Sequence, residues 1–153
     1  MKRSDDPIIV EEYFDADPVS VWGAITEVEQ MREWFFENIP DFKPIVGFTV
    51  EFNVDAGERS FLHQWEITKV VPGRLIEYNW KYGGYAGDAI VTFEVIPENG
   101  STMLRLTNIV TEDFQEGIPE FERQSCIGGW EYFIKQRLKR YLKNLNMAES
   151  STD

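Results

Sequence analysis

The chain has 153 residues, 42% of them hydrophobic and 14% aromatic, and its formal net charge is −12. A chain of this length and composition folds as one globular domain with a sizeable core. Its acidic surface repels phosphate groups, which disfavours both nucleic acid and anionic lipid as partners.

The sequence has no pattern typical of export or membrane insertion. Two basic residues stand near the start, but the apolar run of a signal peptide does not follow them. No stretch of about 18 apolar residues is present, which is the length that a membrane-spanning helix needs. We therefore expect a cytoplasmic protein with no membrane insertion. We also predict that it is a monomer or a weak dimer.

Histidine and cysteine each occur once, at His63 and Cys126. A single cysteine forms no internal disulfide, and a zinc site with several histidine or cysteine ligands cannot be built within one chain. The G-x-S-x-G turn, which presents a nucleophilic serine in α/β-hydrolases, is missing as well. We predict neither a metal site nor another cofactor.

The first elements are predicted to be one strand and two short helices. Residues 7–16, "PIIVEEYFDA", are typical of a strand. Asp17 and Pro18 then form a helix start, with Asp17 as N-cap and Pro18 at the first helical position. This predicts a helix over 17–25, followed by a second helix over 27–36 that ends in the stretch "REWFFE".

Five more strands are predicted between a proline-rich loop (38–47) and residue 110. In each of them, apolar and polar residues alternate with the period of two that places alternate side chains on opposite faces. Short turns, one of them containing Asn99 and Gly100, join consecutive strands and indicate an antiparallel sheet with one covered face. The predicted strands are 48–54, 60–71, 74–82, 88–96 and 103–110.

A long helix is predicted from Pro119 to about Asn146, with frayed residues after it. Its apolar stripe consists of Ile127, Trp130, Ile134, Leu138, Tyr141 and Leu145. Basic residues at 135–143 lie toward its end, where they complement the helix dipole. They are interpreted as a solvated face or, alternatively, as a surface for an acidic partner; they are Lys135, Arg137, Lys139, Arg140 and Lys143.

The element order β-α-α-β-β-β-β-β-α predicts a single α+β domain over 1–153, with its core at about 8–145. The order and several motifs resemble the Bet v 1-like (START-like, SRPBCC) helix-grip superfamily, in particular the branch named after the activator of Hsp90 ATPase. The matching stretches are "VEEYFDADPVSVWGAIT", "VGFTVEF", "WEITKVVPGRLIEYNW", "VTFEVIPENGSTMLRLTNIV" and "GGWEYFIKQRLKRYL".

This resemblance implies a curved antiparallel sheet wrapped around the long helix, with a ligand-sized hydrophobic cavity between them. It implies no single activity and supplies no catalytic motif, since function depends on the site and not on the fold. In one strand, "SFLHQWEI", this chain has His63 and Trp65 where the family often has glycine. We therefore expect bulkier side chains inside the cavity.

The stretch "REWFFE" bears on the same cavity. Consecutive helical side chains point about 100° apart, so three aromatics in a row cannot share one buried stripe. We expect Phe35 to pack inward. By analogy with the family's layout, Trp34 or Phe36 would lie near the cavity mouth as a lid or a partner surface.

The candidate ligand-binding residues are aromatic and apolar side chains on inward positions, together with three polar ones. Each of the aromatics is interpreted as ordinary core or as pocket wall, because pockets combine apolar walls with a few polar groups. The polar His63, Tyr78 and Asn108 would either bond internally or orient a polar end of a ligand. The full set is Trp34, Phe36, Phe52, His63, Trp65, Tyr78, Trp80, Phe93, Asn108, Trp130 and Ile134.

Three functions stay open, the first being non-catalytic binding of a small hydrophobic or amphipathic molecule. It predicts an apolar cavity of some hundreds of Å³. The second, a protein-interaction module of the chaperone co-regulator type, predicts an exposed apolar patch around Trp34 and Phe36. The third, a cyclase- or hydrolase-type enzyme using His63 with Tyr78, predicts that His63 opens to a cavity beside another titratable group.

Overall fold

In the computed structural model, which describes residues 1–151, one antiparallel sheet of six strands wraps around a long C-terminal helix. The strands follow the order β1-β6-β5-β4-β3-β2 across the sheet. This confirms the predicted α+β helix-grip architecture. The elements are β1 (Ile8–Phe14), α1 (Pro18–Thr26), α2 (Val28–Trp34), β2 (Thr49–Ala56), β3 (Arg59–Val71), β4 (Leu75–Tyr82), β5 (Asp88–Glu98), β6 (Ser101–Glu112), α3 (Arg123–Glu131) and α4 (Lys139–Ser151).

A side-chain cap begins the first short helix, and residues with non-helical backbone angles end both of them. Asp17 caps α1, since its carboxylate accepts a hydrogen bond of 2.8 Å from the backbone N–H of Ser20. The extended backbone of Glu27 separates α1 from α2. Helix α2 ends at Trp34, two residues earlier than predicted, because Phe35 has non-helical angles (φ −103°, ψ −106°). Phe35 and Phe36 therefore lie beyond the end of α2, and the helical period does not set the directions of their side chains.

The sheet places its large side chains on the face that α3 and α4 cover. Trp65 of β3 lies opposite Trp80 of β4, and the next inward pair is Ile67 with Tyr78. Between Ile67 and Lys69 the register shifts by a bulge, which increases the local twist and bend of a strand. From the helix side, Ile134, Leu138 and Leu142 enter the core and are almost completely buried.

The long helix departs from the prediction at both ends and in the middle. Pro119 opens only a 3₁₀ turn (Pro119–Phe121), because the extended backbone of Glu122 interrupts the helix before α3 begins. A π-helical segment (Tyr132–Leu138) connects α3 with α4. Helix α4 continues through Ser151 where frayed residues were predicted, and Thr152 and Asp153 lie outside the described residues.

Basic side chains attach the helix to neighbouring elements, a role that the sequence did not predict. The ammonium group of Lys135 donates to the Glu11 carbonyl at 2.9 Å. Lys139 donates to the Tyr13 carbonyl on the same strand, and Arg137 donates to the Glu33 carbonyl at 2.9 Å. Two lysines thus bind the exposed edge of β1, which hinders pairing of that edge with another chain.

No helix within residues 1–151 combines the length and the apolar character needed to span a membrane. The cytoplasmic location stays a prediction.

Candidate functional site

A cavity of about 140 Å³ lies between the inner face of the sheet and helix α3. Two small residues, Ala89 on β5 and Gly129 on α3, lie on its wall and leave the adjoining space unfilled. A Cβ atom added to Gly129 would meet no atom within 4 Å. The lining residues are Met1, Phe36, His63, Trp80, Tyr82, Ala89, Asn108, Phe114, Glu120, Ser125, Cys126, Gly129, Trp130 and Phe133.

His63 is the principal polar group of this cavity, although it is only 5% exposed. Its Nδ1 lies 3.1 Å from the carbonyl oxygen of Phe61. A carbonyl only accepts hydrogen bonds, so Nδ1 carries the proton and Nε2 of the neutral ring is an acceptor. Four aromatic rings surround the imidazole with centroids 4.8–5.4 Å away: Phe36, Phe52, Trp80 and Tyr82.

Burial lowers the pKa of His63 to about 4, while the hydrogen bond to the Phe61 carbonyl opposes the shift. Desolvation disfavours the charged imidazolium, and this effect on the pKa is larger than that of the hydrogen bond. The ring is therefore neutral at pH 7. A base of this strength is poorly matched to proton transfer near neutral pH.

Asn108 and Cys126 form a second polar group at the junction of β6 and α3. Asn108 is 6% exposed, and its Nδ2 donates to the sulfur of Cys126 at 3.5 Å. Within residues 1–151 the amide oxygen of Asn108 is fully enclosed and has no hydrogen-bond partner. Burial raises the pKa of the Cys126 thiol to about 11, so the thiol is protonated and weakly reactive at neutral pH.

Five of the eleven predicted ligand-binding residues lie on the cavity wall. They are Phe36, His63, Trp80, Asn108 and Trp130. The structure places the other six in the packed core beside the cavity: Trp34, Phe52, Trp65, Tyr78, Phe93 and Ile134.

Phe35 is the residue that fills this neighbouring region. Its ring stacks on Trp34 at 4.7 Å between centroids and on Trp65 at 5.6 Å. It also contacts the ring of Trp130 at 5.8 Å, from the helix side. Phe35 packs inward as predicted, and its ring occupies space that would otherwise extend the cavity. The open volume is consequently smaller than the expected some hundreds of Å³.

Trp34 and Phe36 have different environments. Trp34 is 1% exposed, and its indole N–H donates to the Ala24 carbonyl at 2.7 Å. Phe36 is half-buried and lies on the cavity wall. Of the two residues that were expected near the mouth, Phe36 is the one that reaches the cavity.

Phe36 and Phe133 form a thin wall between the cavity and a larger surface cleft. Both residues line the cavity and the cleft, whose volume is about 580 Å³. Their rings meet edge to face at 5.0 Å. The cleft is polar at its rim, where Glu37, Asn53 and Arg137 lie.

Sequence reasoning missed several lining residues, including Tyr82, Ala89, Cys126 and Gly129. Tyr82 was detectable, because it shares the inward parity of Tyr78 and Trp80 on the predicted strand 74–82. Ala89 and Gly129 give no such signal, since a cavity depends on a missing side chain. Phe133 stands in the π-helical segment, where positions no longer follow the 3.6-residue period.

The pairing of His63 with Tyr78 is not assembled at the cavity. Tyr78 is 1% exposed and does not line the cavity, and burial raises its pKa. Among the described residues, no group of three or more His, Cys, Asp or Glu side chains could hold a metal ion. The titratable groups that share the wall with His63 are Tyr82, Cys126, Glu120 and the N-terminal ammonium of Met1.

Residues 15–143 match the profile of the family described as Activator of Hsp90 ATPase homolog 1-like protein. No functionally curated protein matches the chain by sequence. Among solved structures, a protein from Mesorhizobium loti is similar at 26% identity and a TM-score of 0.71, with 91% of this chain and 98% of that chain covered.

Two further structures share the fold. DynU16, from the dynemicin biosynthetic locus, is 24% identical with a TM-score of 0.72, over 91% of this chain. This chain spans about half, 48%, of DynU16. The Aha1 dimer from Colwellia psychrerythraea is 19% identical with a TM-score of 0.67, over 90% of this chain and 96% of that chain. At these identities the likeness establishes the fold alone.

Proposed function

Because the chain belongs to the family of Activator of Hsp90 ATPase homolog 1-like proteins, we propose that it uses the helix-grip cavity to bind one small, neutral, hydrophobic molecule without transforming it. The observation that carries this proposal is the cavity itself, which combines aromatic walls with a few buried polar groups. Pockets for small molecules have this composition.

The size of the cavity limits the ligand. An apolar cavity of about 150 Å³ in another protein holds one benzene molecule. The present cavity, at about 140 Å³, therefore suits a molecule with one or two small rings. An amphipathic ligand would place only its apolar end there, with a polar extension reaching the cleft beyond Phe36 and Phe133.

The buried polar groups support binding over catalysis. His63 is neutral and weakly basic, and the Cys126 thiol is protonated, since burial disfavours both charged forms. Neither group is a good base or nucleophile at neutral pH. Their neutrality favours an uncharged ligand. The charged groups on the wall already have partners, since the Met1 ammonium donates to the Phe121 carbonyl at 2.8 Å and Glu120 pairs with Arg59 at 2.9 Å.

The structure gives less support to a protein-interaction surface at "REWFFE". That interpretation depends on exposure of Trp34 and Phe36 together. Trp34 is buried and Phe36 is half-buried against Phe133, so they do not form a contiguous exposed patch.

Substitution of Gly129 tests the proposal by filling the cavity. Gly129 follows Cys126 by three positions within α3, so the two residues share a helix face, and both line the cavity. A side chain at 129 therefore enters the empty space. We expect Gly129→Ala to weaken binding of indole several-fold and Gly129→Leu to abolish it. For the wild type, we expect calorimetric titration to give a Kd below about 1 mM, equivalent to about −4 kcal/mol.

Gly128 offers a matched control within the same helix. It is exposed and does not line the cavity. At either position, replacement of the helical glycine by alanine favours helix formation by about 1 kcal/mol, so this effect is shared by both variants. Gly128→Ala and Gly128→Leu should leave indole affinity unchanged. Native mass spectrometry of the freshly purified proteins should show any co-purified ligand in the Gly128 variants and not in Gly129→Leu. Absence of indole binding to the wild type, or equal affinity in all variants, would overturn the proposal.

A further inference from the structure

We infer that the ligand carries a hydrogen-bond donor, an N–H or O–H group, which binds Nε2 of His63 inside the cavity. This inference rests on the proposed function and adds the chemical class of the ligand. It assigns His63 the role of an acceptor that orients the bound molecule. A planar aromatic N–H or O–H compound without a formal charge is the class that fits.

The first step is the fixed direction of the imidazole ring. Nδ1 is committed to the Phe61 carbonyl of its own strand, two residues earlier. The neighbouring rings of Phe52 and Tyr82 pack on either side, stacked at 5.3 Å and edge-on at 4.8 Å. The ring is thus held by a hydrogen bond at one nitrogen and by aromatic packing. Its second nitrogen has no hydrogen-bond partner among residues 1–151.

The second step is access to that nitrogen. Three buried side-chain atoms within the described residues are fully enclosed and unpartnered: Trp65 Nε1, Tyr78 Oη and Asn108 Oδ1. His63 Nε2 is unpartnered but is not one of these enclosed atoms, and His63 lies on the cavity wall. Since Nδ1 is turned toward the Phe61 carbonyl, Nε2 is the ring nitrogen left for a group inside the cavity. The amide oxygen of Asn108 is covered in the same structure, so it is the poorer candidate.

The third step is to decide which partner donates the hydrogen bond and what charge the ligand carries. Because Nδ1 holds the only proton of the neutral ring, Nε2 can accept but not donate. No lysine or arginine side chain lines the cavity within the described residues, and Glu120 at its wall pairs with Arg59 at 2.9 Å. A cationic group on the wall, the ammonium of Met1, is already bound to the Phe121 carbonyl at 2.8 Å. A neutral donor gains one hydrogen bond at a nitrogen that is otherwise buried and unpaired.

The single histidine makes a direct test possible in the wild-type protein. Incorporation of ¹⁵N-histidine labels only His63, so the two imidazole nitrogens give one unambiguous pair of NMR signals. We expect the free protein to show a protonated Nδ1 and an unprotonated Nε2. Indole, whose N–H is a donor, should shift the Nε2 signal strongly. Benzofuran, which has the same shape but only an acceptor oxygen, should shift it little.

Affinities measured by calorimetry complete the test. Indole should bind about 10-fold more tightly than benzofuran, as expected for one hydrogen bond to a buried neutral acceptor. In His63→Phe, which keeps an aromatic ring and removes both nitrogens, the ratio should fall to about 2-fold or less, with benzofuran affinity retained. The NMR measurement stands if this variant does not fold.

The outcomes separate the two proposals. If indole and benzofuran bind equally and leave the Nε2 signal unchanged, the cavity binds ligands but His63 does not select a donor. The same inference is overturned if benzofuran binds more tightly, or if Nε2 carries the proton in the free protein. If neither compound binds, the proposed function fails together with the inference.

Discussion

Two halves of the space beneath the long helix differ, although one sheet face and one helix line both. In the filled half, the ring of Phe35 packs against the rings of Trp34, Trp65 and Trp130. In the open half, Ala89 and Gly129 leave about 140 Å³ empty beside His63. Both halves are rich in aromatic rings, so the difference lies in the small residues on the wall of the open half.

The two halves also use buried polar groups differently. Tyr78 Oη and Trp65 Nε1 are unpartnered in the filled half, where neither water nor a ligand has space to reach them. Such groups lower stability, because their hydration is lost without replacement. In the open half, His63 Nε2 is also unpartnered, but His63 lies on the wall of a space that a donor can enter. The same chemical feature is a cost in one place and a recognition element in the other.

The largest expected effect comes from removing the ring that fills the closed half. Phe35→Ala should lower the free energy of unfolding by about 3–5 kcal/mol, because the substitution creates a cavity among close-packed rings. Phe36→Ala should cost clearly less, since Phe36 is half-buried and already borders empty space. Guanidinium unfolding followed by circular dichroism measures both values. Equal losses for the two variants would contradict the division into filled and open halves.

A smaller effect is expected when acid protonates His63. The pKa is about 4 in the folded protein and near 6.5 in the unfolded chain, so the unfolded state binds the proton first as pH falls. His63 should therefore reduce stability progressively between pH 6.5 and 4, by up to about 3 kcal/mol, with no effect above this window.

The His63→Asn variant isolates this contribution from the titration of carboxylates. Asparagine preserves an N–H that can donate to the Phe61 carbonyl and does not titrate in this range. The difference in unfolding free energy between wild type and variant should change across pH 6.5–4 and stay constant from pH 7 to 8. A constant difference over the whole range would mean that the imidazole is not desolvated in the cavity wall.

The smallest effect concerns Tyr78 in the filled half. Tyr78→Phe removes an unpartnered buried hydroxyl and keeps the ring, so stability should stay equal or rise by up to about 1 kcal/mol. Indole affinity should not change, because Tyr78 does not line the cavity. Chemical unfolding and calorimetric titration check the two parts. A loss of stability would reveal a hydrogen bond to this hydroxyl, and a loss of affinity would extend the site into the filled half.

Much of the fold followed from local pattern. The alternation in residues 48–110 predicted five strands within a few residues of their observed ends, because a strand with one covered face must alternate. Asp17 with Pro18 predicted the start of α1. The irregular long helix was not predicted, because the extended Glu122 and the π-helical segment interrupt an apolar stripe that continues on either side of them.

The candidate site was predicted less completely than the fold. Inward parity identified His63, Trp80 and Asn108, whose side chains alternate with outward ones along regular strands. Parity assigns a face, but it does not distinguish a residue beside a cavity from one beside a packed ring. Tyr78 and Trp80 share a face of β4, yet only Trp80 borders the cavity.

By itself, the sequence determined the element order, the inward faces and the presence of one histidine among aromatics, since these depend on residues close together in the chain. The tertiary structure decided which part of the interior stays empty. That outcome depends on the backbone turn at Phe35 and on the position of Ala89 and Gly129, which belong to different elements, on the wall of one cavity. Contacts between distant segments set the cavity, because a void exists only where every surrounding segment leaves it unfilled.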